Sequence, residues 1–277
     1  MKTKKEFAIQ LLIHLILLFA ILIWLYPILF AICNSFKTTK DALNNVLKLI
    51  PSTFTIDNYI HVFDTLPFLR ITLNTLIIAA TVTVTKIVTS FMAAYGLVYF
   101  DLKGKNIIYF FMLSTMFIPF TVSMIPNYLL ISKWGLSDTI WGVMLPQFAD
   151  VLGIFMLRQA MRGIPKSLIE VALLDHIGHK RTMVEIVLPI IKPALFSTSI
   201  IFFINSWNEY VWPVLILKSK ENYTLSLALQ MFISSEGGTN FPVGMAVSVM
   251  TMSIPLILYL FFQRQIIDTF AMSGMKG

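Results

Sequence analysis

Residues 7–32 run for 26 positions without a single Asp, Glu, Lys or Arg. A helix needs about 20 apolar residues to cross the hydrocarbon core of a bilayer, and a run this long has no place in the core of a small water-soluble domain. Five more runs follow: 71–98 with one charge, Lys86; 107–131 with none; 139–157 with Asp150; 193–217 with Glu209; and 241–263 with none. Strands of a membrane barrel would show short segments of alternating polarity, and no such alternation occurs. The pattern predicts an all-α integral membrane protein with six transmembrane helices, arranged as a single domain over 1–277. The first run exceeds the apolar length of a cleaved signal and lacks a small-residue cleavage site, and bulky Ile32 before Cys33 argues against lipoprotein processing. It is expected to stay as a helix.

Only 13% of the 277 residues are charged and the mean hydropathy is +0.80. Soluble domains carry about 25% charged residues, so a water-soluble enzyme with one buried core is excluded, as is a disordered chain. The net charge of +7 invites comparison with nucleic-acid binders, but the distribution of Lys and Arg explains it better. Basic residues collect in cytoplasmic loops. With both termini placed in the cytoplasm, that side holds 13 of the 21 basic residues, the other side seven, and Lys86 stays in the membrane. The excess is a topology signal. Two longer external segments are then expected at about 34–70 and 218–240, and one long cytoplasmic loop at about 158–192. One cysteine, Cys33, excludes an internal disulfide and a Cys-based zinc site. No internal repeat or linker stands out.

The cytoplasmic loop carries a short amphipathic segment. Pro165 suits the first turn of a helix and Glu170 its early part. Leu168, Ala172 and Leu173 fall on one face by spacing, and Gly178 is a suitable stop. A helix this short is marginal in water without something to pack on. Either its own bundle or a soluble partner provides that surface.

Charged and polar groups at membrane depth are functional candidates by default. Glu209 lies about 25 Å along its span from Pro193 at 1.5 Å per residue. Asn205, Trp207, Asn208, Glu209 and Tyr210 concentrate polarity and aromatic surface there, in a pattern that suits either a solute pathway, with rings stacked on a sugar face, or helix packing with interfacial Trp anchors. Asp150 and Gln147 are a second pair, for cavity lining or partner contact. Lys86, in a Thr-rich stretch, is expected to face protein or a water-filled cavity, with pairing to a carboxylate as one option. His176 and His179 stand three apart but lack a third ligand, so no metal is expected. No Gly-x-x-x-x-Gly-Lys-Ser/Thr loop is present, so the chain does not bind ATP by that device. No cofactor is expected in this chain.

Glu170-Val171-Ala172, Asp175, Gly178 and Ile186-Val187-Leu188-Pro189 together resemble the EAA loop of ABC-importer permeases, and Ile164-Pro165-Lys166 with Lys192-Pro193-Ala194-Leu195 resembles its carbohydrate-importer form. The likeness extends over nearly the whole chain. Asn34-Ser35-Phe36-Lys37, Asn58-Tyr59, Asn74-Thr75, Ala93-Ala94-Tyr95, Gly104-Lys105-Asn106, Ile125-Pro126-Asn127-Tyr128, Gly135-Leu136-Ser137-Asp138-Thr139, Trp207-Asn208-Glu209-Tyr210 and the Met275-Lys276-Gly277 tail stand in family order. The chain is thereby similar to the smaller transmembrane subunit of maltose-type importers. It departs from the family where His176 replaces the Gly after the loop Asp, where Val171 takes the second place of the Glu-Ala-Ala triplet, where Tyr99 replaces an Arg, and in a tail poorer in glycine.

The resemblance implies a type I ABC-importer permease fold in a bacterial cytoplasmic membrane. It implies a coupling helix seated in an ATPase groove, with Leu168, Ala172 and Leu173 in apolar contact and Glu170 and Asp175 facing basic groups. It also implies a second related permease, two cytoplasmic ATPases holding ATP and Mg, and an extracytoplasmic sugar-binding protein, with the tail from Ser273 to Gly277 near the ATPases. Importers of the same architecture carry non-sugar solutes such as glycerol phosphate. An ion-coupled secondary carrier using Glu209, Asp150 and Lys86 is the alternative from another class, although the loop motif and the lack of repeats oppose it.

Overall fold

A computed structural model describes residues 4–45, 47–233 and 240–274, with side chains from Ile9 to Gln263 apart from Leu173. The expectations for the Leu173 side chain and for the 273–277 tail lie outside that description. The described residues form helices and no strands, with one isolated bridge between Lys37 and Phe54. Three helices, Ile9–Ser35, Phe68–Tyr99 and Phe241–Gln263, are each long and apolar enough to cross a membrane. Six spans result if each of three bent helix pairs counts as one.

Bends interrupt the third, fourth and fifth apolar runs. In the third, the arm Lys105–Phe117, which begins with α5 (Lys105–Ser114), meets α6 (Phe120–Lys133) at 97°. Ile118 and Pro119 are extended at that junction, because a proline ring disfavours helix in the residue before it. In the fourth, α7 (Ile140–Met144) continues to Gln147 through a tight turn holding Pro146, and this arm meets α8 (Val151–Arg162) at 44°, with Asp150 extended as the cap of α8. In the fifth, the helical stretch His179–Ile190 meets α12 (Lys192–Asn208) at 79°, and α12 then breaks before α13 (Val211–Ile216). The stretch before that elbow includes a wide π turn, Thr182–Val187, just ahead of Pro189, which has no amide hydrogen to give the helix.

The chain divides into two compact units, Met1–Phe68 with Ala228–Ile254, and Leu69–Leu227 with Pro255–Gly277. Within α15 (Phe241–Gly274) the division falls at Pro255.

In the first unit, α1 (Lys4–Ser35) leaves its apolar side chains from Ile9 to Leu29 largely exposed, as suits a helix whose solvent is lipid. Its C-terminal end is held tightly. Asn34, Ser35 and Lys37 are fully buried. Asn58, on α3 (Asp57–Thr65), donates to the carbonyls of Ser35 at 2.7 Å and Lys37 at 2.8 Å, and Ser35 Oγ shares a 2.7 Å hydrogen bond with Tyr59 Oη. The Lys37 ammonium donates to the carbonyls of Asn45 and Lys48. Phe36 stacks on Phe54 at 4.6 Å. Asp41, on α2 (Thr39–Asn44), accepts from the Asn45 side chain and the Ser52 amide, and these bonds together with nearby Lys37 hold its carboxyl below its ordinary pKa. Two separated sequence motifs, Asn34 to Lys37 and Asn58-Tyr59, are thus the two halves of one polar clasp.

In the second unit, α4 (Phe68–Tyr99) is the axis. Toward its N-terminal end Ile78 and Val82 pack with Ile131, Val143, Met144, Trp212 and Ile216. Near its other end Phe91, Ala94 and Tyr95 pack with Leu157, Met161, Ile164, Ile169, Val187 and Ile191. Ile78 and Tyr95 are about 25 Å apart along the helix, so these are two separate cores. Between them sits the ion pair of Lys86 and Asp150, 3.0 Å apart.

Candidate functional site

The loop helix is α9 (Lys166–Leu174), directly after Pro165. Its inward face is Ile169 and Ala172, and Ile169 joins Ile164 in the second of the two cores with Phe91, Leu157 and Val187. Ala172 is only 3% exposed, whereas Leu168 is 43%, Val171 55% and Leu174 78% exposed. This corrects the face drawn from the sequence. Ala172 belongs to the contact with the protein's own bundle, and the apolar stripe open to a partner is Leu168, Val171 and Leu174. Glu170 and Asp175 are exposed beside that stripe.

The helix ends earlier than expected. The Ile177 amide donates to the Ala172 carbonyl at 2.9 Å, and His176 has φ of +56°. That is a Schellman stop with His176 in the left-handed position where glycine is favoured. Gly178, predicted as the stop, has φ of −65° and instead caps the next helical stretch, with its carbonyl accepting from Arg181 and Thr182.

Hydroxyls of α4 hold the loop. Tyr99 Oη donates to the Met161 carbonyl at 3.1 Å at the end of α8, and Tyr95 Oη lies 3.2 Å from His179 Nδ1. The Phe100 ring packs edge-on against the His179 ring at 4.8 Å. Sequence reasoning had weighed His179 only as a metal ligand; its place is in this aromatic clasp. Ile169 and Ile164 thus pack α9 into one cluster with residues of α4, α8 and the elbow at Ile191.

The membrane-depth candidates divide differently. Trp207 is 1% exposed and stacks on Phe203, and Trp212 is equally enclosed and donates its indole N–H to the Gly142 carbonyl at 3.2 Å. Neither indole has a free face, which corrects the expectation that Trp207 offers one to a sugar. Asn205 and Asn208 are exposed, and Glu209 and Tyr210 half-buried. Glu209 ends α12, and its Oε1 accepts from the Trp212 amide at 3.2 Å, capping α13. Gln147 is half-buried and donates to the Val143 carbonyl one turn back.

Asp150 is committed twice: Oδ1 caps α8 by accepting from the amides of Leu152 and Gly153, and Oδ2 accepts from Lys86. The Lys86 ammonium also lies 5.0 Å from the Phe202 ring centroid. The pairing was one of the options left open by sequence. An unpaired charge at membrane depth is costly, and pairing offsets part of that cost.

Sequence reasoning assigned nothing to Asp138. It accepts from the amides of Lys218 and Ser219 at 2.8 and 3.0 Å and from the Ser219 hydroxyl, while its carbonyl takes the Asn222 side chain. Burial raises its pKa, but the hydrogen bonds from Ser219 and Lys218 outweigh this and hold it down to about 2. The Gly135-to-Thr139 motif contained the signal: a left-handed Gly135, a left-handed Asp138 and a Thr139 that caps α7 form one built turn.

The family model described as "Binding-protein-dependent transport system inner membrane component" matches residues 86–270. The chain is 32% identical over 262 residues to an arabinooligosaccharides transport system permease protein of Halalkalibacterium halodurans, covering 94% of each chain. It is 30% identical over 258 residues to the sn-glycerol-3-phosphate transport system permease protein of Yersinia pestis, covering 91% of this chain and 92% of that one. A subunit of the crystal structure of a bacterial ABC transporter involved in the import of the acidic polysaccharide alginate superposes with a TM-score of 0.80 over 95% of this chain and 98% of that one, at 22% identity. At that identity the likeness establishes the fold.

Proposed function

Because the chain belongs to the family of binding-protein-dependent transport system inner membrane components, we propose that it is a permease subunit of an ATP-driven carbohydrate importer. The observation that carries this reading is α9. It is anchored inward through Ile169 and Ala172 and presents Leu168, Val171 and Leu174 outward beside Glu170 and Asp175. An apolar stripe flanked by carboxylates at the tip of a loop suits a groove with basic margins on a soluble ATPase. Both termini lie in the cytoplasm on this reading, and ATP and Mg are held by the partners.

Rigid-body motion needs a stiff link, because a floppy loop would absorb the displacement. Here closure of two ATPases would move α9, and the inner core would pass that movement to α4, α8 and the elbow at Ile191. A central cavity shared with a second, related permease would turn outward to receive solute from an extracytoplasmic binding protein. Asn205, Asn208, Glu209 and Tyr210 would face that pathway on this chain.

The arabinooligosaccharide relatives support a carbohydrate as cargo, and the solved alginate importer of the same fold is consistent with it. The glycerol-3-phosphate relatives, nearly as similar, favour a second reading in which the same architecture carries a phosphorylated polyol. The test is ATP hydrolysis by the complex reconstituted in vesicles. Stimulation by an oligosaccharide with its binding protein, reduced about tenfold or more by Glu170→Ala or Asp175→Ala, is expected. Stimulation by sn-glycerol-3-phosphate alone would favour the second reading. Uptake driven by a proton gradient without any ATPase would overturn both.

A further inference from the structure

On the inner flank of α9, away from its exposed stripe, lies a cleft of about 490 Å³ formed with the ends of α4, α5 and α8. Lys105, Arg158, Arg162 and Lys166 line it, against one carboxylate, Glu170. The cleft therefore carries a formal excess of three positive charges. Leu97, Val98 and Ile164 contribute apolar surface, so it is amphipathic as well as cationic.

Its position is informative. Tyr99 is the last residue of α4, Arg162 the last of α8 and Lys105 the first of α5. Ends of apolar helices mark the boundary between hydrocarbon and water, where lipid phosphates lie. The outer wall continues along α5, where Ile107, Ile108 and Phe111 are exposed, a surface suited to acyl chains. Arg158 is half-buried. Its guanidinium stacks on the Tyr109 ring 3.8 Å from the centroid, and its Nε is shielded from water without a hydrogen-bond partner. A guanidinium held flat by a ring and short of an acceptor is prepared for an oxyanion.

The geometry points to a binding site for the phosphate of an anionic membrane phospholipid, seated between α5, α8 and α9, with its acyl chains along α5. A docked ATPase would occupy the exposed stripe of α9 and leave this flank open to lipid from the side. A lipid there would brace the loop helix against the bundle, making the stiffness of the link depend on the charge of the membrane.

The test uses the complex purified in mild detergent and stripped of lipid, on a Cys33→Ser background. Phosphatidylglycerol, phosphatidylcholine and inorganic phosphate are the probes, with lipid retention read by native mass spectrometry and unfolding by thermal shift. Phosphatidylglycerol is expected to bind in preference to phosphatidylcholine and to shield Arg162→Cys from a thiol reagent. Its affinity is expected to fall about tenfold or more in Arg158→Gln, and similarly in Arg162→Gln/Lys166→Gln, which changes only exposed side chains. Three results would each overturn the proposal. The first is equal retention of phosphatidylglycerol by wild type and the double variant. The second is stabilisation by inorganic phosphate that phosphatidylglycerol does not exceed. The third is shielding of position 162 by the ATPase and not by lipid, which would assign the cleft to a protein contact. None of these readouts depends on which solute is carried.

Discussion

At the scale of single residues, two left-handed positions carry opposite expectations. His176 adopts φ of +56° at the stop of α9, a conformation that costs an L-residue with a side chain about 1 kcal/mol more than glycine. His176→Gly should therefore protect the Ile177 amide, which closes the helix, about fivefold better in hydrogen exchange, while His176→Val should lower that protection. Asp138 is also left-handed, but its carboxylate ties the chain after α13 to the turn before α7. Its pKa of about 2 in the folded state lies below the ordinary 3.8. The unfolded chain thus takes up the proton first, and the stabilisation is complete above about pH 4 and lost as pH falls toward 2. Asp138→Asn should lower the thermal unfolding temperature at pH 6, and the gap from wild type should narrow on acidification over that window. No such narrowing, measured in detergent by intrinsic fluorescence, would mean that the carboxylate charge is not what holds the turn.

At the scale of elements, a close approach at Gly153 and an ion pair both help fix the packing of α4, α8 and α12. A Cβ at Gly153 would lie 2.5 Å from Ser90 Oγ and 2.6 Å from the Phe202 ring, so Gly153 admits α8 between its neighbours. Gly153→Ala should destabilise the chain by about 1–3 kcal/mol through overpacking, whereas Gly178→Ala, with nothing near its Cβ position, should be close to neutral. Lys86 and Asp150 make a sharper comparison. Lys86→Met leaves a carboxylate at membrane depth and should cost about 3 kcal/mol. Adding Asp150→Asn removes that orphaned charge and keeps a good cap on α8, so the double variant should recover most of the loss in chemical unfolding. If the double variant were the less stable, the pair would be contributing net attraction beyond mutual neutralisation.

At the scale of the whole molecule, the two faces of α9 predict two different failures. Val171→Glu or Leu174→Glu alters only the exposed stripe. Each should weaken co-purification of an ATPase partner about tenfold or more without changing thermal unfolding. Ala172→Glu places a charge in the inner core and should lower unfolding temperature first, with loss of partner as a consequence. Partner loss without destabilisation for Ala172→Glu would reverse the assignment of the two faces.

Lipid-crossing segments were legible in the chain itself, because a run of apolar residues needs no knowledge of its neighbours to be insoluble in water. So was the loop with its Glu170-Val171-Ala172 and Asp175 pattern, and so were the odd residues in that pattern: the missing glycine at His176 marks the one left-handed position of the loop. The bends at Pro119, Asp150 and Ile191 were partly announced by proline, but their angles depend on which helices fill the space on either side. The inward face of α9 differs from the one spacing suggests because Leu168 and Ala172 are nearly aligned, and only packing against the rest of the fold decides which of the two is covered. A Trp among Asn and Glu suits either a sugar platform or helix packing, and burial of Trp207 against Phe203 selects packing. Lys86 and Asp150 are 64 positions apart, and the ring that fixes Arg158 comes from another helix. Hydropathy and local spacing act within one helix and are written in sequence order, whereas pairing, burial and cleft charge arise between helices, where only the tertiary fold sets the distance.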